Sequence, residues 1–242
     1  MVIEIGAAKC SRFGDADSDE TTEIIERPSG GQSVVYCSGK RNGRRSKIIS
    51  SMIVNRVLEK TAESFRDSTA IKSVSDQIFR DYSGDTSGDL CMISADFESE
   101  TIVVSRCTRY PVFYYRRGML NVWNTPAEQV GSDKGLHPSI TEIPIEPGTV
   151  IIMLSEGILK AGHSTGEEGD IVDLILNIAE ESRETTADYM AEFFLNRALG
   201  LDQDKPHDDM TAIVMKVDVE TQFNNRRILM TCPVPKYQSI FD

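Results

Sequence analysis

The sequence predicts an α/β chain of the α+β kind, with antiparallel sheet covered by helices. Two observations carry that expectation. Four short apolar runs between residues 90 and 123, separated by polar or glycine-bearing turns, have the spacing of hairpin strands. Pairs of stretches on either side repeat their apolar residues every three or four positions, the helical period. Grouped hairpins and paired helices argue against the strand–helix alternation of a doubly wound parallel sheet.

The opening residues are polar and acidic until Arg27-Pro28-Ser29-Gly30-Gly31, a turn into a short strand Ser33–Cys37. The loop that follows, Ser38-Gly39-Lys40-Arg41-Asn42-Gly43-Arg44-Arg45, combines glycines with clustered cations. Ile48, Ile49, Met52, Ile53, Val57 and Leu58 mark one face of a helix over 46–65, and Ile71, Val74, Ile78 and Phe79 mark another around Thr69–Tyr82. Leu90–Phe97, Thr101–Cys107, Pro111–Arg116 and Met119–Trp123 read as an antiparallel meander. Ile140–Ile145 and Thr149–Leu154 are expected as a further pair, broken at Glu146-Pro147-Gly148. Helices over Ile171–Glu181 and Thr186–Leu199 precede a loop and a closing strand, Thr211–Val217. This order makes one domain over 1–218 and an appended tail over 219–242, which carries Arg226-Arg227 and two prolines.

Composition excludes several functions. The 242 residues suffice for one sizeable domain, and 26 basic against 38 acidic side chains give a formal charge of −12. So negative a chain is a poor general binder of nucleic acid or acidic membranes. No apolar run approaches the roughly 20 residues that cross a bilayer, and the N-terminus lacks the basic-then-apolar pattern of a secretory signal. Five scattered cysteines without CxxC spacing point to reduced thiols and a cytoplasmic setting. His137, His163 and His207 lie far apart, so a metal here would be held by oxygen.

Three segments carry candidate chemistry. In Lys205-Pro206-His207-Asp208-Asp209-Met210-Thr211, two carboxylates stand where a loop enters the last strand, an arrangement that holds a hard cation or simply caps a turn. Ser155-Glu156-Gly157 ends an apolar strand and places an acid at its mouth, or makes a plain turn. The cations of Ser38–Arg45 suit phosphate contact or an ordinary solvated loop.

Together, in this order, these segments resemble the metal-dependent protein phosphatases of the 2C superfamily, in particular the bacterial sporulation-stage-II-E branch. The resemblance spans most of residues 6–217. Asp208-Asp209-Met210-Thr211-Ala212-Ile213-Val214-Met215-Lys216-Val217 resembles the closing motif, and Ile145-Glu146-Pro147-Gly148-Thr149 to Ser155-Glu156-Gly157-Ile158 resembles the "PGD…TDG" element. Val34–Gly43 is similar to the "DGxGxG" strand and loop, and Ser18-Asp19-Glu20-Thr21 to the early "SGD" element. The resemblance implies an antiparallel β-sandwich flanked by helices on both sides. It also implies two Mg²⁺ or Mn²⁺ ions, and hydrolysis of phosphoserine or phosphothreonine on a small bacterial signalling regulator by a metal-generated hydroxide. The implied metal site maps onto Glu20, Ser38, Gly39, Glu156, Asp208 and Asp209, with Asp209 preferred of the closing pair because it directly precedes Met-Thr.

The sequence departs from that pattern in its acids. Ser38 stands where the family has a metal-bridging aspartate, Arg41 replaces a glycine, and Glu156 replaces an aspartate. Removing a doubly bridging carboxylate removes charge that hard divalent ions require. Asp15, Asp17 or Asp19 offer compensation, while Lys40, Arg41, Arg44 and Arg45 offer a phosphate-binding set that needs no metal. Two functions are therefore expected: a weak metal-dependent protein serine/threonine phosphatase, or a phosphatase-fold module that binds a phosphoprotein without hydrolysing it. The oligomeric state is left open.

Overall fold

The computed structural model describes residues 1–166, 169–180, 185–219 and 228–231. In chain order its elements are β1 (Val2–Cys10), β2 (Glu20–Glu26), β3 (Gly31–Arg41), β4 (Arg44–Arg45), α1 (Lys47–Ala62), α2 (Asp67–Tyr82), β5 (Thr86–Asp96), β6 (Thr101–Cys107), β7 (Val112–Arg116), β8 (Met119–Trp123), β9 (Ser139–Pro144), β10 (Val150–Leu154), α3 (Glu156–Leu159), α4 (Ile171–Glu180), α5 (Ala187–Leu201) and β11 (Met210–Asp218). Glu181, the last residue of one expected helix, and most of the tail, including Arg226, Arg227 and Cys232, lie outside the described residues.

The strands form two antiparallel sheets, one ordered β1-β11-β10-β7-β8 and the other β2-β3-β5-β6-β9, with β4 paired to β3. Alternation along the strands feeds three apolar layers. Val34, Ile93, Val104, Ile151 and Ile213 fill the space between the sheets. Val35, Leu90 and Met92 face Ile53, Val57 and Ile71 of α1 and α2. Ile152, Leu154 and Val214 face Ile175, Met190 and Phe194 of α4 and α5. The result is the expected antiparallel β-sandwich with helices on both sides.

Four expectations are corrected. The opening residues contain two strands, β1 and β2. β1 hides its pattern because α5 lies against it: a Cβ on Gly6 would stand 2.2 Å from the Ala187 carbonyl carbon, so that face admits only small residues. The expected meander divides, β5–β6 joining one sheet and β7–β8 the other. The expected pair 140–145 and 149–154 also divides: β9 pairs with β6, whereas β10 pairs with β7 and β11. Burial explains the second split, since all five residues of β10 are buried and need neighbours on both edges, while β9 has its outer positions in solvent and serves as an edge.

The fourth correction matters for the site. Ser38–Arg45 is no loop but a β-hairpin in which β3 runs to Arg41, Asn42 and Gly43 turn at φ 49° and 74°, and β4 returns. Asn-Gly with two positive φ values is the two-residue turn that matches strand twist. Its register sets Lys40 opposite Arg45 and Arg41 opposite Arg44. Cross-strand partners share a face, so Arg45 joins Tyr36, Ser38 and Lys40 on the inter-sheet side. Arg41 and Arg44 take the other side, where both are exposed and the Arg41 guanidinium lies 5.7 Å from the Tyr82 ring centroid.

Candidate functional site

One mouth of the sandwich gathers most of the residues singled out in the sequence. Ser38 is flanked in register by Glu20 on β2 and Asp89 on β5. Glu20 is fully buried, and its two oxygens accept hydrogen bonds from the Tyr36 hydroxyl (2.5 Å) and the Thr211 hydroxyl (2.6 Å), tying one sheet to the other. Burial pushes the Glu20 carboxyl up to about 7, against the pull of those two donors. Burial and the adjacent Glu20 likewise raise the Tyr36 phenol well above its ordinary range.

Arg45 enters this acidic pocket from β4. Its Nη2 donates to Glu156 Oε2 at 3.2 Å and to Asp208 Oδ2, while Nη1 lies 3.9 Å from Glu20 Oε1. Burial lowers the Arg45 pKa, but the facing Asp208, Glu20, Tyr36 and Glu156 outweigh it and the group is held more firmly charged than usual. Glu156 opens α3, and Lys160 one turn on donates to its Oε1 at 2.5 Å. Partial burial raises the Glu156 carboxyl, yet Lys160, Tyr110 and Arg45 together bring it down to about 2. Asp208 is shifted upward by burial, with Arg45 opposing.

Asp209 does other work. Its oxygens accept the backbone N–H of Arg12 (2.9 Å) and of Asp19 (2.7 Å), clasping the segment between β1 and β2. Asp19 in turn accepts the N–H of Lys47 at the start of α1 (3.0 Å), and Asp15 pairs with Arg12 at the surface. Asp17 accepts the N–H of Ser18. Among the described residues Arg45 pairs instead with Glu20, Glu156 and Asp208, not with the three acids weighed as compensation. Gly39 is pressed against α1, where a Cβ would stand 2.4 Å from the Ser50 nitrogen, and its carbonyl accepts the Ser46 N–H at 3.0 Å.

Lys40 lies beside a second feature, a cleft of about 390 Å³ lined by Lys40, Asp89, Arg109, Glu128, Gln129 and Ser132. Asp89 accepts from Thr108 (2.9 Å) and Gln129 (2.7 Å), which leaves the Lys40 ammonium 3.8 Å away, beyond hydrogen-bond reach. Arg109 is exposed at the rim, 3.6 Å from Glu156. Arg41 and Arg44, grouped with Lys40 in the sequence, are placed away from this cleft by the hairpin register.

A hard divalent ion needs several oxygens with free lone pairs converging on one point. Glu20 is turned to the Tyr36 and Thr211 hydroxyls, Asp209 to the Arg12 and Asp19 amides, and Glu156 and Asp208 to Arg45, while Ser38 carries no charge. Among the described residues no group of three or more His, Cys, Asp and Glu is set to hold a metal ion. The donor set in this arrangement does not fit the two Mn²⁺ or Mg²⁺ ions that the resemblance implies.

Sequence reasoning missed Asp89, Tyr36, Thr211, Tyr110, Arg109 and Lys160, and missed that Arg45 turns inward. Asn42-Gly43 was the readable signal for Arg45, because a two-residue hairpin fixes which cations share a face with Ser38. Asp89 sits within β5 and has no local signal of its own.

Comparison with known proteins places the chain. The family model described as stage II sporulation protein E (SpoIIE) matches residues 37–218, and the chain belongs to that family. Its fold is that of the PP2C-type phosphatases. The PP2C phosphatase domain with a fragment of the regulatory domain of SpoIIE from Bacillus subtilis superposes with a TM-score of 0.72 at 16% identity, covering 91% of this chain and 64% of that one. A serine/threonine phosphatase of S. agalactiae gives 0.68 at 13% identity, over 90% and 100% of the two chains. PppA, a regulatory component of T6SS in Pseudomonas aeruginosa, gives 0.68 at 13% identity, over 89% and 98%. A search of curated protein sequences returns no match. Among the described residues no helix is long and apolar enough to cross a membrane.

Proposed function

We propose that this protein is a phosphatase-fold binding module of the bacterial cytoplasm that recognises a regulatory protein phosphorylated on serine or threonine and does not hydrolyse it. The observation that carries this reading is the state of the acids at the site. Ser38 stands between Glu20 and Asp89, the carboxylates of Glu20, Glu156 and Asp208 face donors of the chain itself, and among the described residues no cluster of acids is set to gather the cations that would generate hydroxide.

Recognition falls to the neighbouring cleft. Lys40 and Arg109 bring two cations with spare donor capacity to one opening, and Gln129 and Ser132 add neutral polar groups beside them. A phosphoryl oxygen takes charge-assisted hydrogen bonds from such groups.

The test pairs turnover with binding. Wild-type protein with Mn²⁺ or Mg²⁺ is expected to leave a generic phosphate ester and a phosphoserine peptide intact, while fluorescence anisotropy reports binding of the phosphorylated peptide over its unphosphorylated twin. The double change Lys40→Ala/Arg109→Ala is expected to weaken that binding roughly tenfold or more, on the scale of a lost hydrogen bond to a charged group. Metal-dependent turnover by the wild type would restore the phosphatase reading. Equal affinity for the two peptides would end the recognition reading.

A further inference from the structure

We infer that Arg45 is a resident, covalently tethered cation that occupies, electrostatically, the place the fold reserves for divalent metal. The inference rests on the reading of the site as one without metal chemistry, and it deepens that reading by naming what stands in the metal's stead.

The argument is one of charge and geometry. Glu20 comes from one sheet, while Glu156 and Asp208 come from the ends of segments bordering the other, so three acids from distant parts of the chain meet at the mouth. Left alone, they would repel one another across partly buried space, where like charges interact strongly. A positive centre among them relieves that repulsion. A bound ion does so, and so does a guanidinium. Arg45 hydrogen-bonds Glu156 and Asp208 and lies 3.9 Å from Glu20, sits with its side chain about four-fifths shielded from solvent, and stays charged at any working pH. Its planar fork presents five donors and spans several carboxylates at once.

Delivery is built into the backbone. The Asn42-Gly43 turn sets Arg45 opposite Lys40, so the guanidinium must enter from the inter-sheet side two positions beyond Ser38. The neutral Ser38 fits the same economy: an aspartate there would add a fourth negative charge to a cluster with one guanidinium at its centre. Lys160 donates to Glu156 from the solvent side and adds a second cation, so two of the three negative charges are matched by side chains of the chain itself.

The experiment reads metal binding and stability without any phosphorylated ligand, so its outcome is independent of the recognition reading. Calorimetric titration with Mn²⁺ and thermal melts in Mn²⁺ or EDTA are run on wild type, Arg45→Ala and Arg45→Lys. Wild type is expected to show no stoichiometric Mn²⁺ binding and the same melting temperature in both solutions. Arg45→Ala is expected to melt lower in EDTA and to bind Mn²⁺ at least about tenfold more tightly than wild type, with part of the lost melting temperature recovered. If Arg45→Ala does not fold, refolding in Mn²⁺ but not in EDTA supports the inference equally, and failure of Mn²⁺, Mg²⁺ and Arg45→Lys alike to restore folding overturns it. Stoichiometric Mn²⁺ binding by wild type, undiminished relative to Arg45→Ala, also overturns it, whether or not the protein binds a phosphopeptide.

Discussion

Replacing Asp209 by asparagine separates a clasp from a metal ligand. The carboxylate holds two backbone N–H groups, those of Arg12 and Asp19, and the next peptide is pinned as well, because Phe13 N–H donates to the Pro206 carbonyl at 2.8 Å. The Arg12–Phe13 bond is therefore held on both sides while the Arg12 side chain stays exposed, a protected tryptic site. An asparagine keeps one acceptor and turns an NH₂ toward the other N–H. The loss combines one charge-assisted hydrogen bond with a donor left facing a donor, about 2–4 kcal/mol in all. If opening of this segment is fast relative to cleavage, that energy raises the cleavable population by roughly thirtyfold to nearly a thousandfold. Limited trypsin digestion in EDTA, followed by mass spectrometry of the fragment ending at Arg12, measures the rate directly. An Asp209→Asn rate within about threefold of wild type, well under the roughly tenfold that 1.4 kcal/mol produces, would refute the clasp and leave Asp209 free to serve as a ligand.

Other perturbations test the scaffold. Gly6→Ala forces a Cβ onto the backbone of Ala187, which cannot rotate away, and is expected to cost about 3 kcal/mol, the upper end of overpacking; a urea midpoint equal to wild type would contradict the close approach of α5. Gly200→Ala meets nothing in space and lies within α5, so it is expected to stabilise by up to about 1 kcal/mol through helix propensity in the same assay. Asp67→Ala leaves the Arg27 guanidinium, now 2.7 Å from Asp67 and largely buried, with the neutral Ser33 and Ser94 hydroxyls and the more distant Asp96, and is expected to lose about 3 kcal/mol in chemical denaturation. Cys91 is pushed up to about 12 by burial and Cys37 is raised well above its ordinary range for the same reason. Aromatic disulfide reagents near pH 8 are expected to spare both thiols in the folded protein and to react once it unfolds.

What the sequence conveyed of the fold follows from how local each signal was. Thr101–Cys107 and Met119–Trp123 were readable to the residue because alternating apolar side chains stood between polar turns. β1 was not, because its helix-side positions include Gly6 and Ala8, small residues that accommodate α5 and blur the alternation. Glu146-Pro147-Gly148 has the composition of a hairpin turn yet carries the chain from one sheet to the other, and no local feature distinguishes those uses. At the site, Glu20, Ser38, Glu156 and the Asp208-Asp209 pair were legible through motif order. Their hydrogen-bond partners were not, because Tyr36, Thr211 and Asp89 reach them only through strand register and sheet stacking.

The pairing of β1 with β11 bears on how the chain comes together in time. Val2 lies opposite Asp218 and Cys10 opposite Met210, so among the described residues the first strand has its one ladder partner in the last. Four strands of the other sheet, β2, β3, β5 and β6, draw on residues 20–107 and have one another at hand much sooner during synthesis. A nascent chain would hold that sheet and its two helices while residues 2–10 wait, an unpaired edge exposed until β11 leaves the ribosome. Glu4, whose carboxylate accepts the Ala187 N–H, and Lys9 put charge on that waiting strand, a brake on pairing with a neighbouring chain.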